Sequence, residues 1–204
     1  MTGREKILQV GQKLYGEEFN LEEEVRRNSY RIVFEILRNG LDSEKESLGA
    51  MIIGPIGVGK TALMRVMQKL FMETSRAFKT LDCREIPVLM EYFKVHEIME
   101  MYGQNLKMDL YMDDIGIGEA VYNKFGNTTN MISEIIMSRY NLFIAEGYKT
   151  HISSNKPTFL DPEKYPDIIT LTKIYGDRTV DRLREMCTLV TFEGKSLRQL
   201  QHAN

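Results

Sequence analysis

The segment that most constrains the fold is a glycine-rich octapeptide between an apolar run and an amphipathic one. It reads Gly54-Pro55-Ile56-Gly57-Val58-Gly59-Lys60-Thr61 and fills every fixed position of the Walker A pattern G-x-x-x-x-G-K-[ST]. The residues before it, 48–53, are typical of a buried strand, and those after it, 61–67, are typical of a helix. This order predicts a loop that wraps around a phosphate with its backbone N–H groups.

The polar residues of the loop have separate predicted tasks. Lys60 is predicted to reach the β- and γ-phosphates of a nucleotide, and the Thr61 hydroxyl to ligate Mg²⁺. The alternative is an ordinary glycine turn before a helix, which needs neither a lysine nor a hydroxyl in this register. We therefore expect ATP to be held by residues Gly54, Pro55, Ile56, Gly57, Val58, Gly59, Lys60, Thr61 and Ala62.

Composition is that of a globular protein. The 204 residues are 43% hydrophobic and 27% charged, enough to bury one large core. A formal net charge of −2 means that any nucleic-acid surface must be a local patch rather than a global basic field.

Cys83 and Cys187 belong to no C-x-x-C pattern, and residues 1–6 lack the apolar core of a signal peptide. We expect a cytoplasmic protein with no membrane contact.

Apolar periodicity predicts strands that alternate with helices. Predicted strands lie at 48–53, 77–83, 110–112, 151–154 and 187–192, and predicted helices at 20–39, 61–67, 87–93, 131–143 and 178–185. The first helix is predicted to bury Val25, Ile32, Val33, Ile36 and Leu37. Alternating strands and helices form a parallel sheet covered on both faces. We therefore predict an α/β three-layer sandwich, with a helical segment at 1–45 and a core domain at 46–204.

Two adjacent carboxylates follow the third predicted strand. Because side chains alternate along a strand, Asp113 and Asp114 can serve different partners at its carboxyl end. Asp113 suits the Mg²⁺ shell, and Asp114 suits the water that attacks the γ-phosphate. The alternative is an Asp pair that caps a strand in solvent, but the Walker A loop upstream favours a catalytic role.

Polar residues after the fourth strand and on the last helix complete the candidate site. Asn155 can orient water or contact the γ-phosphate without adding charge, although alone it is typical of a turn. Arg178 and Arg182 lie on one helical face, and a guanidinium from a neighbouring subunit can neutralise charge on a transferred phosphoryl group. The alternative for this pair is a solvated helix with ion pairs to Asp181 or Glu185.

These segments together resemble the AAA+ ATPases of the DnaC/IstB type, which include helicase loaders and the ATPase partners of transposases. The resemblance runs from the first predicted helix to the end of the chain. It rests on the Walker B form Asp113-Asp114-Ile115-Gly116, on Arg139-Tyr140 upstream of Ser154-Asn155, and on Gly176-Asp177-Arg178 followed by Asp181-Arg182-Leu183. The segment Gly194-Lys195-Ser196-Leu197-Arg198 is similar to the last motif of that family.

The resemblance implies a sheet ordered 5-1-4-3-2 and an active site completed between subunits of a homo-oligomer. It makes Asn155 the sensor 1 residue, Arg182 the first candidate for the arginine finger and Arg178 the second, and Arg198 a candidate sensor 2-like contact. It also implies Mg²⁺-dependent ATP hydrolysis in DNA metabolism. The implied partners are single-stranded DNA and either a replicative helicase or a transposase.

The chain departs from the fuller helicase loaders at both ends. Residues 1–45 are too few for a separate helicase-binding domain, and little chain follows the last strand, so we expect no helical lid domain. Two other functions stay open. One is a nucleotide-gated DNA-binding switch with little turnover. The other is a small-molecule P-loop kinase, which the water-polarising pair Asp113-Asp114 disfavours.

Overall fold

A central sheet organises the chain in a computed structural model, which describes residues 2–17, 19–21, 24–41, 47–116, 120–124, 127–158 and 169–194. The strands are β1 (Gly49–Ile53), β2 (Phe78–Asp82), β3 (Asp109–Ile115), β4 (Val121–Lys124), β5 (Asn127–Asn130), β6 (Thr150–Ser154) and β7 (Cys187–Thr191). Five of them form a parallel sheet in the order β2-β3-β6-β1-β7, which confirms the five predicted strands and the order 5-1-4-3-2. The antiparallel hairpin β4–β5 lies apart from this sheet and was not predicted.

Helices cover both faces of the sheet. They are α1 (Gly3–Tyr15), α2 (Glu24–Asn39), α3 (Lys60–Phe71), α4 (Ile86–Tyr92), α5 (Val95–Tyr102), α6 (Met131–Glu146), α7 (Leu171–Tyr175) and α8 (Asp177–Met186). Ala50, Ile52 and Tyr111 pack on one side with α1, α2 and α3. Met51 and Met112 point the other way and pack with α6 and α8, as alternation along a strand requires. The three-layer α/β prediction is confirmed.

The amino-terminal region differs from the prediction in two ways. Helix α1 was not predicted, although Thr2 and Glu5 form a capping box at its start. The predicted buried face of α2 is also partly wrong, because Ile32 is 42% exposed while Tyr30 and Phe34 are buried against the core. Val33 and Leu37 are buried as predicted, and the side chain of Val25 lies outside the described residues.

Helices α1 and α2 share one hydrophobic cluster with β1 and α3. The proposed boundary between residues 45 and 46 falls in a part of the chain, 42–46, that the structure does not describe, so that division stays a prediction. Among the described helices, none combines the length and the apolar character needed to span a membrane.

Candidate active site

The glycine loop lies between β1 and α3, where the sequence predicted it. Gly57 and Gly59 have φ of 85° and 99°, a region that residues with a Cβ rarely adopt. At Gly54, a Cβ would lie 2.3 Å from the carbonyl oxygen of Phe192, so only glycine fits beside the end of β7. Helix α3 has neither a capping side chain nor an acidic residue in its first turn. Its first N–H groups are therefore suited to an anion.

The Lys60 ammonium is folded into this loop. Its Nζ donates to the carbonyl oxygens of Gly54 and Pro55 at 2.7 and 2.8 Å, and the residue is only 7% exposed. Burial lowers the pKa of Lys60, while the nearby charges of Asp114 and Asp113 oppose that change. The lysine is thus close enough to the two predicted carboxylates for their charges to act on it.

Asp113 is buried and accepts three hydrogen bonds at a single oxygen. Its Oδ1 lies 3.1 Å from Thr61 Oγ1, 2.5 Å from the Tyr111 hydroxyl and 2.6 Å from Ser153 Oγ. The contact with Thr61 joins the end of β3 to the first turn of α3. The two predicted Mg²⁺ ligands, Thr61 and Asp113, are therefore neighbours in the structure.

Asp114 differs from Asp113 in backbone conformation and in environment. Its φ is 60°, and it is the sole residue other than glycine with a positive φ in the described part of the chain. Burial raises the pKa of the Asp114 carboxyl, and the charge of Asp113 raises it further, whereas Lys60 and Arg84 oppose the rise. A half-buried carboxylate with a raised pKa is suited to accept a proton from water.

Asn155 follows β6, the strand between β3 and β1 in the sheet. Its Oδ1 is buried and has no hydrogen-bond partner among the described residues. Ser154, the preceding residue, accepts at its carbonyl oxygen a hydrogen bond from Gly54 N–H at 3.1 Å, which ties this strand end to the start of the loop. A buried amide oxygen without a partner, close to a Walker A-type loop, is consistent with the predicted contact of Asn155 with a nucleotide or with the attacking water.

Comparison with known proteins identifies the fold. Neither a protein-family model nor a curated protein sequence matches the chain. The solved structure of DnaI is 16% identical, with coverage of 96% of this chain and 94% of DnaI and a TM-score of 0.61. That of the DnaC helicase loader is 17% identical, with coverage of 87% and 95% and a TM-score of 0.57. The fold is that of the AAA+ ATPases.

AMPPCP-bound DnaA from Aquifex aeolicus shares this AAA+ fold at 18% identity and a TM-score of 0.55. The match covers 89% of our chain but only 51% of that one, so the present chain spans about half of the DnaA structure. At these identities the likeness concerns the fold alone.

The two arginines of α8 lie in different environments. Gly116 N–H donates to the Tyr175 hydroxyl at 2.6 Å, so α8, which starts two residues after Tyr175, begins near the end of β3. Arg178 is exposed in the first turn of α8, and the described residues give it no partner. Arg182 lies about 6 Å further along the axis. It is held by an ion pair with Glu185 and lies 4.5 Å from the ring centre of Tyr140.

Arg139, which contributes to the family resemblance, lies at the opposite edge of the sheet. It is fully buried, and its guanidinium donates to the carbonyl oxygens of Leu106, Met108 and Lys149 and to Thr150 Oγ1 at 2.8 to 3.2 Å. These acceptors surround the amino ends of β3 and β6. Arg139 therefore joins strands at the amino ends of the sheet, away from the glycine loop and the two aspartates.

Several site residues were not predicted. Tyr111 and Ser153 hydrogen-bond to Asp113, and Asp82 at the end of β2 is bound by Arg84 at 2.8 and 2.5 Å. Tyr111 precedes Asp113 by two residues, so strand alternation was a usable signal for that contact. The predicted sensor 2-like residue, Arg198, lies outside the described residues.

Proposed function

We propose that the chain binds ATP and hydrolyses it with Mg²⁺, and that it couples this reaction to DNA replication as a helicase loader. The main support for the proposal is that four residues lie close together at the carboxyl ends of the strands: Lys60, Thr61, Asp113 and Asp114. Thr61 Oγ1 lies 3.1 Å from Asp113 Oδ1, and Lys60 and Asp114 are close enough to shift each other's pKa. Asn155 stands at the end of the adjacent strand with an unpartnered amide oxygen.

The chain's own groups divide the chemistry between them. The uncapped N–H groups of α3 and the Lys60 ammonium are suited to hold negatively charged phosphate oxygens. The raised pKa of Asp114 suits it to polarise an attacking water. Asn155 would orient that water with a neutral dipole, which adds no charge to the site.

The metal would be held by few protein groups. No cluster of three or more His, Cys, Asp or Glu side chains suited to a metal occurs in the described residues. Thr61 and Asp113 offer one hydroxyl and one carboxylate, a donor set that fits Mg²⁺, which is often bound by one or two protein ligands together with substrate phosphates. When bound, Mg²⁺ would neutralise phosphate charge and align the phosphoryl group.

We also propose that the site is completed by an arginine of a second copy. The family resemblance favours Arg182, with Arg178 second. Exposure and position favour Arg178, which lies in the first turn of α8, whereas Arg182 is paired with Glu185 and Tyr140. A guanidinium that enters a neighbouring site accelerates phosphoryl transfer strongly.

A role in replication is supported by the fold comparisons, in which DnaI and the DnaC helicase loader match nearly the whole chain. We propose single-stranded DNA and a replicative helicase as partners. A transposase is the alternative partner, and a pull-down from native cells with ATP present would separate the two.

The first prediction is that Lys60→Ala abolishes ATP binding while it leaves the fold intact. Removal of the ammonium eliminates two hydrogen bonds, but it also eliminates the unfavourable burial of a charge. Because these two effects oppose each other, the free energy of unfolding should change by about 1 kcal/mol or less. Binding of a fluorescent ATP analogue and urea unfolding measure the two effects. Lys69→Ala, an exposed change on the same helix, is the matched control. Unaltered ATP binding by Lys60→Ala would contradict the site assignment.

Turnover itself is measured as phosphate release from ATP with no added acceptor, with and without single-stranded DNA. Release that DNA stimulates supports a DNA-coupled ATPase. ATP-dependent assembly without release would support a nucleotide switch, and turnover that requires a small-molecule acceptor would support a kinase.

A further inference from the structure

Ser153 lies on β6 directly opposite the two carboxylates of β3, in a fully buried position. Its hydroxyl donates to Asp113 Oδ1 at 2.6 Å and accepts the backbone N–H of Asp114 at 3.0 Å. The Tyr111 hydroxyl lies 2.9 Å from the Ser153 hydroxyl oxygen. One side chain therefore contacts the side chain of the first aspartate and the backbone of the second.

The backbone of β3 is irregular at this point. Met112 pairs with Ile152 and Ile115 pairs with Ser154, so β3 has one more residue than β6 between the two pairs. This extra residue is a β-bulge, and the left-handed conformation of Asp114, with φ of 60°, lies within it. A bulge of this kind redirects a side chain, and in a residue with a Cβ the conformation must be maintained by its surroundings.

The contacts of Ser153 supply that support. The bulge interrupts the regular ladder between β3 and β6, and the Ser153 oxygen serves as an acceptor for the Asp114 N–H within it. The Ser153 proton is directed to Asp113, which leaves a lone pair of the Ser153 oxygen for the amide of Asp114.

We propose that Ser153 is a positioning residue that holds the Asp114 bulge, and so directs the Asp114 carboxylate toward the phosphate site, while it anchors Asp113. The proposal rests on the ATPase function proposed above. Ser153 acts through Asp114 and does not itself contact substrate. Its loss should therefore affect turnover much more than nucleotide binding.

The experiment compares the Ser153→Ala variant with two matched variants. Ser153→Ala should lower kcat by about tenfold or more, while the Kd of a non-hydrolysable ATP analogue with Mg²⁺ stays within about threefold. Thr150→Val removes a buried hydroxyl from the other end of β6, where it accepts from Arg139, and should leave kcat near the wild-type value. Tyr111→Phe removes a donor to Asp113 but leaves the Asp114 amide bond, so its loss of kcat should be smaller.

A double variant tests whether the effect passes through Asp114. In an Asp114→Asn background, Ser153→Ala should lower kcat little further, because the group that it positions is already disabled. Full additivity would overturn the proposal. So would a wild-type kcat in Ser153→Ala, an equal loss of kcat and binding, or a loss in Tyr111→Phe as large as that in Ser153→Ala.

A crystal structure of Ser153→Ala tests the geometry without any assay of activity. We expect Asp114 to leave the left-handed region, and an unchanged φ would overturn the proposal. If the wild-type protein bound ATP but released no phosphate under any condition, the proposed ATPase function would fail. The structural comparison would still decide whether Ser153 holds the bulge.

Discussion

At the scale of single residues, Asp113 and Asp114 are neighbours with opposite environments. Asp113 is 4% exposed and accepts three hydrogen bonds, whereas Asp114 is half-buried and has a left-handed backbone in the bulge of β3. Asp114→Asn should keep Mg²⁺ and ATP bound but slow hydrolysis by about a hundredfold, because an amide cannot accept the proton of water. Asparagine tolerates a positive φ, so the bulge should persist. A filter-binding assay beside phosphate release measures both, and equal loss of binding would make Asp114 a metal ligand instead.

The pH dependence of turnover tests the same residue. The pKa of Asp114 is raised, so this carboxyl takes up a proton at a higher pH than an ordinary aspartate as the solution is acidified. The protonated form cannot act as a base, so kcat/KM should decrease as the pH is lowered. This decrease should begin at a higher pH than the ordinary pKa of an aspartate would give. The residual activity of Asp114→Asn should lack that acid limb.

The candidate site residues that the structure brings together were predicted from the sequence, but the residues that support them were not. Lys60 and Thr61 belong to one local pattern and Asp113 to a second, and a parallel sheet brings the loop and the strand end together. Ser153 could not be found in this way, since its contacts depend on the register between β3 and β6 and on a bulge that no local pattern marks. The choice between Arg178 and Arg182 depends on a second subunit, which the sequence of one chain does not fix.

At the scale of elements, the buried Arg139 links α6 to the amino ends of β3 and β6 through four hydrogen bonds. Burial lowers its pKa to about 10, so it stays charged near neutral pH, with Asp109 close by. Arg139→Lys should reduce the free energy of unfolding by about 3 kcal/mol, because a lysine cannot reach all four acceptors and leaves buried carbonyl groups unpaired. Urea unfolding measures this loss, with the exposed Arg184→Lys as control. A loss similar to that of the control would show that the link is dispensable.

The five sheet strands and helices α2, α3, α4, α6 and α8 were predicted, whereas α1, α5, α7 and the hairpin β4–β5 were not. Strands β1 and β3 consist largely of buried apolar residues, and one face of α6 is buried. In α1, by contrast, only Ile7 and Gly11 are buried, and a mid-helix glycine argues locally against a helix. Hairpin β4–β5 is polar and lies outside the main sheet, so its formation depends on a context that periodicity does not report.

At the scale of the whole molecule, a buried histidine links folding to pH. Burial lowers the pKa of His151 from 6.5 to about 3, and its Nδ1 accepts the Ala50 N–H at 3.1 Å. Between these two pKa values His151 is protonated in the unfolded chain but neutral in the folded chain. Its contribution to the free energy of unfolding is therefore complete above pH 6.5 and is lost as the pH falls toward 3. Between pH 8 and pH 5 the loss should be about 2 kcal/mol.

His151→Asn retains an acceptor near the Ala50 amide and removes the titrating group. It should lower stability at neutral pH, because it leaves space beside Phe78, whose ring centre lies 5.5 Å from that of His151. The difference between wild type and variant should nevertheless shrink as pH falls from 8 to 5. Urea unfolding at several pH values measures this slope, and a constant difference would show that His151 does not govern it.

The last prediction concerns assembly. Helix α8 begins near the end of β3 and exposes Arg178 in its first turn, while Arg182 lies on the same helical face. If one of these arginines acts in a neighbouring site, its alanine variant and Asp114→Asn should each retain little activity alone. An equal mixture should recover activity, because about a quarter of randomly formed interfaces would pair an intact Asp114 with an intact arginine. Wild-type specific activity should also rise with protein concentration, since sites form only on association.

Separate mixtures with Arg178→Ala and Arg182→Ala identify the arginine. Recovery of activity with Arg178→Ala alone would identify Arg178 as the trans-acting arginine, as its exposure and position suggest, and not Arg182, as the family resemblance suggests. Arg182 would then keep its contacts with Glu185 and Tyr140. Recovery with Arg182→Ala alone would require Arg182 to leave those partners on assembly. Concentration-independent turnover without recovery in either mixture would refute a trans-acting arginine, because each chain would then complete its own site.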